Sequence, residues 1–201
     1  MNYPYTMSAA AEKLDFITPE EYYRMERIAT EKHDYYEGEI FNMSGGTTNH
    51  SKIKTDLLIT LGVQLKGKPC QPLDSDQRVK VMETGLRTYP DASVFCEEIE
   101  YDSEDDQKET AINPTVVFEV LSDSNEEYDR GLKATNYRMI ESLKAHLLIS
   151  QNQPHVEMYE RMEDGDWRFR EVSGLDAEME IRSIDVSIRL SEIYGRIIFD
   201  A

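Results

Sequence analysis

One residue constrains this chain more than any other: the glutamate inside Val116-Val117-Phe118-Glu119-Val120-Leu121. Its apolar neighbours predict a short strand buried on both faces. An ionised carboxylate in such a place is costly unless it is paired or bound to a metal. The plainer reading is a glutamate on the exposed face of an edge strand. Asp91 shifts the balance. It follows Pro90 and opens the predicted strand Ala92-Ser93-Val94-Phe95, so two strands carry an acid at comparable points. Alone, an Asp after Pro is an ordinary turn residue. As a pair, two carboxylates a few ångströms apart stay ionised cheaply only with a cation between them. Hard oxygen donors of this kind suit magnesium or manganese.

A third feature lies downstream. Asp129 and Lys133 are four apart on a helix predicted over about 126–140, so they share a face. They form either a plain helical ion pair or a pair in which Lys133 reaches over the carboxylates and stabilises charge on a phosphate. Glu39, His50 and Gln77 are further polar candidates, each read more simply as structural. The four histidines show no HxH or HExxH spacing, which excludes the familiar zinc-protease pattern.

The order of elements supports one α/β domain with a mixed sheet. Residues 1–14 show no period and are expected to form a flexible tail, with the domain covering 15–201. Thr18-Pro19-Glu20-Glu21 is a capping box with proline at the first helical position. Tyr35 to Phe41 reads as a hairpin around Glu37-Gly38. Ile53, Leu57, Leu58, Leu61 and Leu65 keep helical spacing, and Gly67 ends that helix. Strands are predicted at 77–81, 91–95, 115–121 and 145–150. A hairpin follows around Asp164-Gly165, then a short last helix near 190–197.

Charge excludes some functions. Forty acidic residues against 22 basic ones give a net charge of −18, which opposes holding DNA by long-range attraction. A carboxylate-bound metal can still reverse the sign locally. The eight acids between Glu97 and Glu109 read as a solvated, mobile loop. The six basic residues between His50 and Lys80 read as scattered surface charges. Cys70 and Cys96, 26 positions apart with no CxxC pattern, read as free thiols in a reducing cytosol. No apolar run is long enough for a membrane span and no signal peptide is visible, so the expected location is cytoplasmic.

At this point the residues resemble a family. Tyr35-Tyr36-Glu37-Gly38-Glu39-Ile40, Met43-Ser44-Gly45, Asn49-His50, Ser75-Asp76-Gln77-Arg78-Val79, Tyr89-Pro90-Asp91, Phe118-Glu119-Val120-Leu121-Ser122 and Tyr128-Asp129-Arg130-Gly131-Leu132-Lys133 are similar, in order, to Uma2 (DUF820) sequences. The resemblance covers about 18–197. It implies a PD-(D/E)XK restriction-endonuclease-like fold: a mixed β-sheet flanked by helices. It also implies magnesium or manganese held by Asp91 and Glu119, and DNA as substrate. The parent pattern has a lysine two positions after its second acid; here Leu121 stands there. Lys133 matches the lysine this family offers instead. Glu39, His50 and Gln77 match positions implied to lie around the same pocket.

The expected function is a metal-dependent DNA endonuclease. The competing expectation is a binding protein on a nuclease-like scaffold that has lost catalysis, since fold does not fix function. A glycoside hydrolase using the carboxylate pair ranks lower, because the chain has a single tryptophan, Trp167, to line a sugar groove. A homodimer is a reasonable expectation for an enzyme that cuts two strands.

Overall fold

The computed structural model describes residues 16–43 and 45–199. The tail expected over 1–14 lies outside them. Helix α1 (Pro19–Glu26) starts as its sequence predicts: the Glu21 N–H donates to Thr18 Oγ1 at 3.2 Å, and the Thr18 N–H donates to the Glu21 carboxylate at 2.9 Å. Its buried face, Tyr22 and Tyr23, packs on Tyr35 of a hairpin formed by β1 (His33–Tyr36) and β2 (Glu39–Asn42). Glu37 and Gly38 turn that hairpin with φ of 51° and 85°. Two left-handed residues in succession match the right-handed twist of the strands. A Cβ on Gly38 would also lie 2.2 Å from the Phe16 ring.

Helix α2 (Thr48–Gln64) is capped by Thr47, whose hydroxyl accepts from the His50 N–H at 3.1 Å. The apolar spacing that predicts this helix turns Ile53, Leu57 and Leu61 fully inward. They meet one face of a six-stranded sheet ordered β11–β10–β9–β8–β6–β3. Its strands are β3 (Gln71–Asp74), β6 (Ala92–Phe95), β8 (Val116–Leu121), β9 (Ala145–Ser150), β10 (His155–Arg161) and β11 (Trp167–Ser173). β8 and β9 run parallel; the other pairs are antiparallel. A second, five-stranded sheet, β2–β1–β5–β4–β7, adds β4 (Arg78–Lys80), β5 (Arg87–Thr88) and β7 (Thr110–Ala111). A ribbon of β12 (Glu178–Ile181) and β13 (Val186–Arg189) leads into the helix Leu190–Tyr194.

Side chains alternate along β8, and that decides where the glutamate goes. Val116, Phe118 and Val120 join the core under α2, whereas Val117 joins a second core with Tyr137, Ile140 and Leu143. Glu119 shares the Val117 side of the strand.

Several expectations need correction. The helix predicted over 126–140 is three joined pieces: α3 (Glu126–Tyr128), a π-helical turn (Asp129–Lys133) and α4 (Ala134–Tyr137). Gly131 weakens the regular ladder there, and the wide turn closes through an Ala134 N–H to Asp129 C=O bond. The cysteines are not free thiols. Gln71 pairs with Phe95 across β3 and β6, so Cys70 and Cys96 sit opposite each other, and they form a disulfide. The acidic stretch 97–109 is not simply solvated. Asp102 and Asp105 are buried, where they pair with Lys80, Arg87 and Arg78. Arg78 and Lys80 are therefore buried partners rather than scattered surface charges. Among the described residues, no helix is long and apolar enough to cross a membrane.

Candidate functional site

The antiparallel register of β6 and β8 pairs Ala92 with Phe118, and continuing it by one step sets Asp91 opposite Glu119. Backbone contacts tie the two acids together. The Val120 N–H donates to Asp91 Oδ2 at 2.8 Å, and the Asp91 N–H lies 3.4 Å from Glu119 Oε2. Glu119 is only 2% exposed. Its Oε1 accepts from the Tyr137 hydroxyl at 2.7 Å and from Lys133 Nζ at 3.3 Å. Both donors come from the helical segment after β8, and the widened π turn points Asp129 and Lys133 inward together.

Lys133 is buried among three carboxylates. Its Nζ lies 3.2 Å from Asp129, 3.3 Å from Glu119 and 3.7 Å from Asp34. Asp34, on β1, is further held by the Tyr89 N–H at 3.3 Å. On the other side, His50 Nε2 lies 3.0 Å from Asp91 Oδ2, and Lys54 Nζ lies 3.8 Å from Asp91 Oδ1. Gly46 backs the His50 ring: a Cβ there would sit 2.6 Å from Nδ1. His50, Lys54, Asp91, Glu119 and Lys133 all line one cleft of about 540 Å³.

The two strand acids are held differently. Burial pushes Glu119 well above the usual carboxylate range; Lys133 opposes this, while Asp129 and Asp91 reinforce it. Burial would raise Asp91 too, but the hydrogen bond and charge of His50, the Val120 N–H and Lys54 together hold it below its ordinary value. Lys133 is raised although burial acts to lower it, because Glu119 and Asp34 supply negative charge. Beneath Tyr137, burial pushes the fully buried His146 down to about 3, so it stays neutral and packs edge-on against the Tyr137 ring at 5.3 Å.

The donor set fits a hard divalent cation. Four acids, Asp34, Asp91, Glu119 and Asp129, converge on a region whose close ammonium groups are Lys133 and Lys54. Burial raises Glu119 first, and the neighbouring Asp129 and Asp91 add to it against the opposing charge of Lys133. Two carboxylates and an open cleft match a divalent cation that keeps several waters and needs few protein ligands. Among the described residues, no third acid or histidine completes a tight protein cage here. Among the described residues the group close enough for that is His155, Glu157 and Glu171, on the β10–β11 hairpin.

The remaining sequence candidates fall elsewhere. Glu39 is exposed on the first hairpin and is not part of the cleft lining. Gln77 donates to the Arg78 and Glu109 carbonyls, so it ties the acidic segment to β4 instead of facing the cleft. Sequence reasoning missed Asp34, Lys54 and Tyr137. Asp34 stands in a polar-looking hairpin. Tyr137 lies four positions beyond Lys133, and that spacing was the available signal.

Residues 19–191 match the family model of Uma2, described as "Putative restriction endonuclease". Two relatives come from Synechocystis sp. "Uncharacterized protein slr1290" is 35% identical over 185 residues, 91% of this chain and 94% of its own length. "Uncharacterized protein sll1609" is 33% identical over 164 residues, 82% and 92% respectively. A crystal structure from Anabaena variabilis ATCC 29413, described as that of "a putative nuclease belonging to DUF820", superposes with a TM-score of 0.67. That match has 16% identity and covers 83% of this chain and 92% of that one. The mixed sheet flanked by helices is thus the restriction-endonuclease-like fold that the sequence leads one to expect. With most of its length matched, the chain belongs to the Uma2 family.

Proposed function

We propose that this protein is a nuclease that hydrolyses DNA phosphodiester bonds with magnesium or manganese held by Asp91 and Glu119. The observation that carries the reading is the pairing of these two acids on adjacent strands at the floor of an open cleft, with Lys133 Nζ 3.3 Å from Glu119. A bound divalent cation supplies a Lewis acid and an acidified water. The protein's own residues do the rest. His50 and the Val120 N–H orient the Asp91 carboxylate. Tyr137 fixes one oxygen of Glu119 and leaves the other toward Asp91. Lys133 takes the part that Leu121 cannot, adding positive charge beside the scissile phosphate. Lys54, at the cleft wall, offers a second cation to a backbone that the net charge of −18 otherwise repels. Two copies acting together would cut both strands of a duplex.

The test is cleavage of supercoiled, linear and single-stranded DNA with magnesium or manganese. Wild type should cut, and folded Asp91→Ala and Glu119→Ala should lose at least about a thousand-fold in rate, since each removes a metal ligand. Cleavage retained in either variant would overturn the assignment. A second reading, a binding protein on an inactive scaffold, draws on the engagement of Lys133 by three carboxylates. It predicts DNA binding that needs no divalent cation, and no cleavage by any variant.

A further inference from the structure

A second cavity of about 350 Å³ adjoins the cleft and has a different character. One wall is aromatic: Phe41, from the end of β2, and Tyr128, from α3, have ring centroids 5.9 Å apart. Asn42 and Asn125 bring two side-chain amides to its lining, and Asp34 brings a carboxylate. Met43, Asn125 and Lys133 line both the cavity and the cleft, so the two spaces are continuous at the lysine. The Asn125 Oδ1 already accepts from the Ser122 N–H at 3.2 Å, so the group Asn125 can offer is its NH2.

We propose that this cavity is a nucleobase pocket, and that the substrate presents an unpaired base to it: a single strand, or a base turned out of a duplex. The inference rests on the nuclease reading and narrows it. A phosphate over Asp91 and Glu119 brings an adjoining nucleotide to the boundary at Lys133. Its base then has an aromatic wall for its π face and the side-chain amides of Asn42 and Asn125 as donors for a ring or carbonyl acceptor. A paired base inside a duplex has its faces stacked and its edge hydrogen-bonded, so it cannot use these groups. Stacking on aromatic side chains is tolerant of sequence, and it contributes binding that does not depend on net positive charge. That suits a chain with a net charge of −18.

The experiment uses end-labelled DNA and RNA 30-mers, single-stranded and duplex, each also made with one abasic residue stepped along the strand. Wild type should cut the single strand at least about ten-fold faster than the duplex. One abasic residue next to the cut phosphate should slow it about ten-fold, in line with the loss of one stacked base. Phe41→Ala should be slow on the intact strand and indifferent to the abasic residue, whereas Phe41→Trp should restore base dependence. Thermal melting of both variants shows whether they fold. Equal cutting of intact and abasic strands by wild type, or an unchanged rate in folded Phe41→Ala, would overturn the pocket.

Fluorescence anisotropy of the same oligonucleotides on Asp91→Ala separates the two readings. Base-dependent binding without cleavage by wild type keeps the pocket and removes the nuclease. Cleavage without base dependence does the reverse, and neither signal removes both. The comparison of DNA with RNA decides which strand the pocket serves.

Discussion

Around Arg78, Lys80 and Arg87 the protein buries three cations against Asp102, Glu104 and Asp105. Around Lys133 it buries Asp34, Glu119 and Asp129, with Asp91 beside them. The first cluster is balanced, and its surplus donors are spent on neutral groups. Arg78 donates to Thr110 Oγ1 and the Tyr89 hydroxyl, and Arg87 donates to the Tyr23 hydroxyl and the Gly85 carbonyl. Arg78 also lies over the Tyr23 ring at 5.0 Å. The second cluster has more acid than ammonium, and it opens into a cleft. Burial cost is common to both, so burial alone does not mark a functional site. What sets the candidate site apart is the charge left uncompensated, together with the open path to it.

The largest expected effect breaks the balanced cluster. Asp105→Ala leaves buried Arg78 with only the exposed Glu109 carboxylate, 3.9 Å away, and should cost about 3–5 kcal/mol in urea unfolding. Glu119→Gln should instead change stability by less than about 1 kcal/mol, since it relieves a surplus of negative charge and keeps an oxygen for Tyr137. Equal losses in the two variants would show that the Lys133 cluster is also balanced and would dissolve the distinction.

Next in size is the response to metal. If magnesium binds with a dissociation constant near ~1 mM, 10 mM magnesium should stabilise wild type by about 1.4 kcal/mol. Glu119→Gln should lose that gain, and Asp105→Ala should keep it on its lower baseline. A thermal-shift series in which wild type ignores magnesium and manganese would leave the acid surplus without its expected partner.

Acid should act on the balanced cluster too. Burial opposes ionisation of Asp102 and Asp105. Lys80 and Tyr23 outweigh it for the first, and Thr110 and Arg78 for the second, so both lie below the ordinary aspartate value of 3.8. Their contribution is therefore fully present above about pH 4 to 5. It fades as pH falls through the lowered values, because the unfolded chain takes up protons first. Wild type should lose stability over that acid range. Asp105→Asn, already weakened, should show a shallower slope. Parallel slopes would mean that Asp105 does not carry the acid response.

These clusters also show what could be read in advance. Glu119 was legible because an acid in a run of five apolar residues violates its surroundings. Asp91 was legible because it follows Pro90 at the head of a second predicted strand, at a point comparable to Glu119, and because Tyr89-Pro90-Asp91 carries part of the family resemblance. Period predicted α2 and the apolar runs of β8 and β9 closely, since these elements are largely buried, while turn residues marked the two hairpins. Two-residue strands such as β5 and β7 have no period to read; they exist through pairing with neighbours. The acidic segment 97–109 misled for a similar reason. Its composition is that of a solvated loop, yet two of its acids are drawn in by cations some 15 to 27 positions away. Asp34 and the Cys70–Cys96 disulfide were hidden alike, because each depends on strand register that only the folded sheets establish.

The smallest effect concerns the wall of the cleft. Gly46 has no positive φ to defend, so Gly46→Ala should cost less than about 1 kcal/mol of stability. Its new methyl group would nevertheless meet the His50 ring at 2.6 Å from Nδ1 and 2.9 Å from Cγ. The ring must move, and its Nε2 contact with Asp91 must lengthen from 3.0 Å. A displacement of this size at a positioning residue can slow a reaction by up to about a hundred-fold. Cleavage should therefore fall while urea unfolding stays near wild type, the opposite of the Asp105→Ala pattern. The variant His50→Ala removes the ring and with it the clash, so adding Gly46→Ala to it should cost nothing further in rate. An additional loss in the double variant would place the effect of Gly46 in the loop itself rather than in the orientation of Asp91.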